Sequence, residues 1–398
     1  MLPPPTFYPT NSTINTQNTE ALRDYLSQQY SFPALADCHL QIVEDESGER
    51  HYVEGHKLIL ARSPMLLALI EKSEPASASL KTQVNIVLKG RHTRIPSFTD
   101  GLRFLYGANN LSTLDQLRQH PGNGEGITVN ETRMARALEF VAVGSWLNVP
   151  LIAEKGLETI SGLLHWDTMP SVLSFALEGG LGLAWSVDDG SEEKSSCASS
   201  DDSGDNIGDP TYDPFASQLL HRVIDFAVHM FPHDFYLDAS ASELPTCQRL
   251  PPTPSSHESR PSQSDPRLSR IRFGEVPVDE LQRPSFVTTT ISSMLLSLPF
   301  ALLKCVLEHY DFTVTLGPET AASIMRQVVA ERETRRIRVL KARGPGPQEG
   351  DESSLVQNLY WEELVEPSGQ HRAGFRLARR KRDIDTPPSS GVNSEDSK

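Results

Sequence analysis

His229 and His233 stand four residues apart, the spacing at which one helix turns two imidazoles toward a single zinc ion. Pro232 lies between them and breaks that helix, and no Cys or Glu completes a ligand set. The pair therefore predicts no metal site, and His221, eight residues before His229, adds nothing to it. His56 and Asp37 are the other candidates for acid–base work. His56 sits where a strand meets a helix, a place where an imidazole usually bonds nearby backbone. Gly122-Asn123-Gly124-Glu125-Gly126 is rich in glycine, but no Lys-Ser/Thr follows and no strand precedes it, so it reads as a loop rather than a phosphate cradle. There is no G-x-S-x-G and no H-E-x-x-H. The four cysteines, Cys38, Cys197, Cys247 and Cys305, form no C-x-x-C, which argues against a zinc ribbon or a disulfide framework. The expectation is a protein without catalytic residues, cofactor or metal.

Charge offers other chemistry. Residues 326–343 carry Arg326, Arg332, Arg335, Arg336, Arg338, Lys341 and Arg343 against Glu331 and Glu333. The Glu331 to Arg335 spacing suits a solvated helix, and no aromatics interleave the arginines as a nucleic-acid surface would require. Arg379-Arg380-Lys381-Arg382 is a short basic run of the kind read as a nuclear signal. Residues 188–209 hold eight acidic residues against Lys194 alone, with serines between, and read as a solvated spacer. Within it, Ser200 precedes Asp201-Asp202, a context that suits an acid-directed kinase. The net charge of -15 argues against bulk nucleic-acid binding.

These residues need elements to position them. Leu22, Tyr25, Leu26 and Tyr30 form one stripe of a helix over 20–30. Cys38, Leu40 and Ile42 alternate with polar residues as a strand, Asp45–Glu49 turns, and 51–54 returns. Lys57–Ala61 is a short helix candidate. Ser63-Pro64 then reads as an N-cap with proline at the first helical position. Val84, Ile86 and Leu88 alternate as a third strand, and the helix holding Phe98, Leu102, Leu105 and Tyr106 stops at Gly107. Two further helices run through 134–164, with Leu58, Leu60 and Met65 expected in the core beneath the His56 turn. The last third reads as helical, with helices over 286–298, 299–310 and 319–343. No stretch is long and apolar enough to span a bilayer, and the first ten residues lack the features of a secretory signal.

In this order the chain resembles the BTB (POZ) domain. The match rests on Asp37-Cys38-His39-Leu40-Gln41-Ile42, on Gly55-His56-Lys57-Leu58-Ile59-Leu60-Ala61-Arg62-Ser63-Pro64, on Phe104-Leu105-Tyr106-Gly107 and on the helical pair within 137–157. It covers about residues 20–165. The stretch over 107–130 is longer and richer in glycine than the family's usual connection. Residues 295–309 and 328–341 also resemble the helical tail of BTB proteins from filamentous fungi.

The resemblance implies an α+β fold with a short mixed sheet capped by helices, to which composition and periodicity add an α-helical C-terminal region joined by disordered acidic and Pro/Ser-rich linkers. The expected layout is a tail over 1–18, the BTB module over 20–165, a helical extension over 166–187 and an acidic linker over 188–213. A helix over 214–238, a Pro/Ser-rich linker over 239–284 and a helical region over 285–343 follow. Residues 344–398 are expected to be mostly disordered, with one short ordered segment near 355–366. The resemblance further implies a non-enzymatic interaction protein that forms a homodimer or pairs with another BTB protein, through Leu22, Tyr25, Leu26, Asp37 and His56. Leu58, Leu60, Ser63, Pro64, Tyr106 and Gly107 would be its structural motif. Some family members are substrate adaptors of cullin-type ubiquitin ligases, although no substrate-binding repeat follows the module here. The basic run opens a third reading, a nuclear regulator of transcription acting through protein contacts. In all three the chain is expected inside the cell, nuclear or cytoplasmic.

Overall fold

A computed structural model describes residues 11–73, 81–108, 127–178, 212–244, 249–251, 284–343, 354–369 and 374–381. Helices and small sheets together make a mixed α+β protein. The chain forms two compact units, 1–223 and 224–398, and their boundary falls inside one helix.

The first unit is built on a three-stranded sheet of order β2-β1-β3. Strand β1 (Cys38–Glu44) pairs antiparallel with β2 (Arg50–Gly55) and parallel with β3 (Thr82–Leu88). Alternation decides which face is covered. Cys38, Leu40 and Ile42 of β1 and Val84, Ile86 and Leu88 of β3 point inward and are buried. The hairpin turn closes through Gly48, whose φ of +67 suits glycine.

Helix α1 (Asn11–Ser31) precedes the sheet. It begins at Asn11, so part of the predicted tail over 1–18 is helical. After β2 come the single turn α2 (Lys57–Leu60) and α3 (Pro64–Lys72). The Ser63 hydroxyl accepts the Leu66 N–H at 3.3 Å and donates to the Leu147 carbonyl at 2.5 Å. It thus caps α3, with Pro64 at the first turn as expected, and also ties it to the end of a distant helix. Helix α4 (Ile95–Leu105) starts where the Glu44 carboxylate accepts the Ile95 N–H at 2.7 Å. Helices α5 (Ile127–Trp146) and α6 (Pro150–Leu163) pack closely because Gly144 lies directly against the backbone of Ala153, and Gly156 against Val141 and the Ala137 carbonyl. Helix α7 (Met169–Leu177) lies within the predicted extension over 166–187. Its Phe175 stacks on Tyr212 at 4.5 Å, so the predicted linker over 188–213 ends in a packed residue. Helix α8 (Phe215–His229) contains the boundary between the units.

The second unit holds α9 (Phe286–Ser297), α10 (Phe300–Leu307), α11 (Tyr310–Leu316) and α12 (Pro318–Arg343). Pro299 separates α9 from α10. Helices fill 286–343, and the order beyond them extends past the single short segment expected near 355–366. Beyond the short helix α13 (Ser354–Gln357), strands β4 (Trp361–Pro367) and β5 (Phe375–Lys381) form an antiparallel hairpin. Both outer edges are capped: Glu333 of α12 accepts the Glu363 N–H at 2.9 Å, and Glu308 accepts the Leu377 N–H at 2.6 Å. The predicted linker over 239–284 is also partly packed, since Ala241, Arg249 and Leu250 are buried. Arg335 draws it in by donating to the carbonyls of Ala239 and Ala241. The glycine-rich loop, Ser200 and the acidic serine run before Tyr212, and Arg382 lie outside the described residues.

Candidate functional site

The residues singled out around His56 come together. The His56 N–H donates to the Tyr106 hydroxyl at 2.8 Å, and that hydroxyl lies 3.1 Å from the His56 Nδ1. The His56 Nε2 lies 2.7 Å from the Ala34 carbonyl. A carbonyl only accepts, so Nε2 carries the proton and Nδ1 accepts from Tyr106. The relay is fully satisfied: backbone N–H to phenol, phenol to imidazole, imidazole to backbone carbonyl. Burial pushes the Tyr106 phenol up from its ordinary pKa, which keeps its proton in place for this role.

Asp37 closes the same turn from the other side. Its carboxylate accepts the Lys57 N–H at 2.8 Å and caps α2, while its backbone N–H donates to the Gly55 carbonyl at 3.1 Å. The Asp37 side chain is exposed. His56 is likewise only half-buried. Gly107 ends α4 with φ of +85, and a Cβ there would meet the Arg23 side chain of α1 at 2.9 Å. Helix α1 is held to the same corner by Tyr30, whose ring lies 5.4 Å from that of Tyr106.

The expected core beneath the turn needs one correction. Leu60 is buried, but Leu58 is 87% exposed and Met65 is half-buried. With a single turn in α2, only one of its leucines faces inward, and the Ser63 cap sets the phase of α3 so that Leu66 is buried instead. On α1, Leu22 is 59% exposed and Tyr25 57%, while Leu26 is half-buried. Two exposed residues escaped the sequence reading: Phe32 at 80% and Leu35 at 96%. They flank Ala34, the residue bonded to His56, in the loop between α1 and β1. The dipeptide Phe32-Pro33 just past a helix was the available signal. Apolar side chains thus stand in solvent along α1 and on both sides of a tightly bonded polar turn.

A second polar cluster, in the other unit, departs from the expected solvated helix. Arg332 and Arg336 belong to the helix taken as solvated, yet both are buried. Arg332 donates through Nε and Nη2 to the two oxygens of Glu363, at 2.7 and 2.9 Å. Its Nη1 donates to the carbonyls of Leu295, Leu296 and Leu298, which are orphaned at the end of α9. Arg249 lies 3.4 Å from Glu363, and Arg336 donates to Glu333 at 2.7 Å and to the Leu359 carbonyl. Burial pushes the Glu363 carboxyl up, but the charge and hydrogen bonds of Arg332, then Arg249 and Arg379, outweigh it and hold its pKa down to about 2. This is ionic scaffolding of a helix end and a hairpin. The predicted pair Glu331–Arg335 does form, at 2.9 Å, on the more open side of the same helix.

Arg379, Arg380 and Lys381 of the basic run occupy β5 rather than a disordered tail. His229 bonds the Asp225 carbonyl at 2.7 Å and faces Asp311 at 3.3 Å. Among the described residues no cluster of His, Cys, Asp and Glu could hold a metal ion, and no helix is long and apolar enough to cross a membrane. In sequence comparisons no family model matches the chain, and no curated protein matches it either.

Proposed function

We propose that the first unit is an interaction module of the BTB (POZ) type, which dimerises or recruits partners and carries no catalysis. The observation that carries this reading is the apolar exposure beside the His56 turn: Leu22 and Tyr25 on α1, and Phe32, Leu35 and Leu58 around Ala34 and His56. Several large apolar side chains left in solvent favour a protein partner. The helix, hairpin, two short helices, parallel third strand and helical pair follow the order that the resemblance implies. The relay through Tyr106, His56 and Ala34 spends every donor and acceptor on architecture, which favours rigid display over chemistry.

In this reading a second copy of the chain covers the α1 face. Light scattering on the full-length protein across micromolar concentrations tests it. The expected result is a dimer that Leu22→Asp with Tyr25→Asp converts to a folded monomer. A wild-type chain that stays monomeric throughout ends the self-association reading and leaves the face to a different protein.

A further inference from the structure

Two residues of the basic run, and Arg376 earlier in β5, stand opposite glutamates of β4, while Lys381 stands opposite Trp361. Glu362 stands opposite Arg380, Glu363 opposite Arg379 and Glu366 opposite Arg376. Successive side chains of a strand point to opposite faces, so the three pairs divide between the two sides of the hairpin. On one side, the Arg376 guanidinium lies 2.9 Å from Glu366. On the other, Arg379 lies 3.7 Å from the fully buried Glu363 and 4.5 Å over the ring of Phe300. Phe375, at the start of the strand, lies under the Arg326 guanidinium at 4.1 Å. Glu363 is in turn fixed by Arg332, and the outer edge of β5 is bonded by Glu308.

We infer that β4 is a built-in occupant of the basic run. Charge complementarity requires that a partner reading such a run offer an acidic surface, and its carboxylates then need the cationic side chains unpaired. In the folded chain that position is already held by an acidic strand of the same molecule. Arg380 and Lys381 are exposed at the end of the strand, Arg379 is half-buried, and the backbone of all three is committed to the ladder. Arg379 to Lys381 are therefore withheld from a partner that needs them extended and unpaired while the hairpin stands, and readable once it opens. Opening separates Arg379 from Glu363 and removes the edge bond at Leu377, so anything that loosens this corner exposes the run.

The test compares the full-length chain with a synthetic peptide of residues 374–386, which has no β4. Trypsin cleavage after Arg379, Arg380 and Lys381 is followed by mass spectrometry, and binding of fluorescent poly-glutamate by anisotropy. Run-dependent binding is read against Arg380→Ala with Lys381→Ala. The folded chain should be cut at the run at least ~10-fold more slowly than the peptide, because cleavage follows the population of the open hairpin. It should show no run-dependent binding, while the peptide binds. Glu362→Gln with Glu366→Gln, both on the outward side, should raise cleavage and binding together. Cleavage of the wild-type chain at the peptide's rate overturns the inference, as does equal run-dependent binding by chain and peptide. So does a variant that loses protection without gaining binding.

Discussion

The His56 turn and the Glu363 cluster solve the same problem with different materials. Each joins elements far apart in sequence through polar groups. At His56 the groups are neutral or exposed: a phenol, an imidazole, a backbone carbonyl and a solvent-facing carboxylate. At Glu363 they are ions with almost no exposure, Arg332 and Arg249 against one carboxylate. Neutral relays lose little when one bond breaks, because the groups left behind reach water or a second partner. A buried ion that loses its counterion has neither. The two regions should therefore differ sharply in their tolerance of substitution.

The largest effect follows directly. Glu363→Ala leaves the Arg332 and Arg249 guanidinium groups buried beside one another without their carboxylate. Breaking a buried pair in this way costs about 3–5 kcal/mol. Hydrogen exchange should show protection lost across β4, β5 and the middle of α12, while the β1–β3 amides stay protected. Retained protection in the hairpin would mean that its apolar contacts alone hold it.

Acid separates the two regions by a second route. Burial, then the charges of Arg91 and Arg94, pull His92 in the first unit down to a pKa of about 4. Its Nε2 accepts from the Arg91 Nε at 3.0 Å, so the 3.4 Å contact with Glu178 is no ion pair at neutral pH. A histidine with a depressed folded pKa stays neutral in the fold while the unfolded chain takes up a proton. Stability thus falls as pH drops from 6.5 toward 4, by about 3 kcal/mol at the bottom of that window. Glu363 has the opposite charge type. Its carboxylate is depressed from 4.5 to about 2, so its contribution is present above 4.5 and drains away as pH falls through that range. The first unit should lose protection at milder acid than the second, and His92→Gln should remove the upper limb alone. Loss of both units at a single pH would show that they unfold as one.

The contrast also decides what could be read from the sequence. The His56 turn was legible because its parts lie in short local patterns: alternation in β1, an N-cap serine before a proline, a glycine ending α4. Each needs only neighbours in sequence. Tyr106 stands at the end of α4, where the helix was expected to stop before Gly107, although its bond to His56 joins residues 50 apart. Leu58 was misplaced because a four-residue helix has too few positions for periodicity to choose a face. The Glu363 cluster was not legible. Arg332 is surrounded by Glu331, Glu333 and Arg335, a pattern identical to that of a solvated helix, and its partner stands in a strand 31 residues further on. Nothing local says that one arginine of several turns inward. The hairpin was missed for a related reason: RLARRK reads as a charged tail until the acidic strand that pairs with it is known.

The smallest effect tests the neutral side of the comparison. Tyr106→Phe keeps the ring, its edge contact with Tyr30 at 5.4 Å and its place in the core, and removes only the hydroxyl. The His56 N–H and Nδ1 then lose a common partner, while Nε2 keeps the Ala34 carbonyl. Because His56 is half-buried, water can reach part of what is left, and the cost should be about 1 kcal/mol. Chemical denaturation of the full-length chain measures it, with exchange of the His56 amide as the local readout. A loss as large as that of Glu363→Ala would mean that the relay, and not the apolar sheet face beneath it, holds the first unit together. A loss of about the expected size, with α1 still docked, would place the stability of this corner in Tyr30, Leu60 and Leu66 and leave the hydroxyl the narrower task of fixing the angle of the turn.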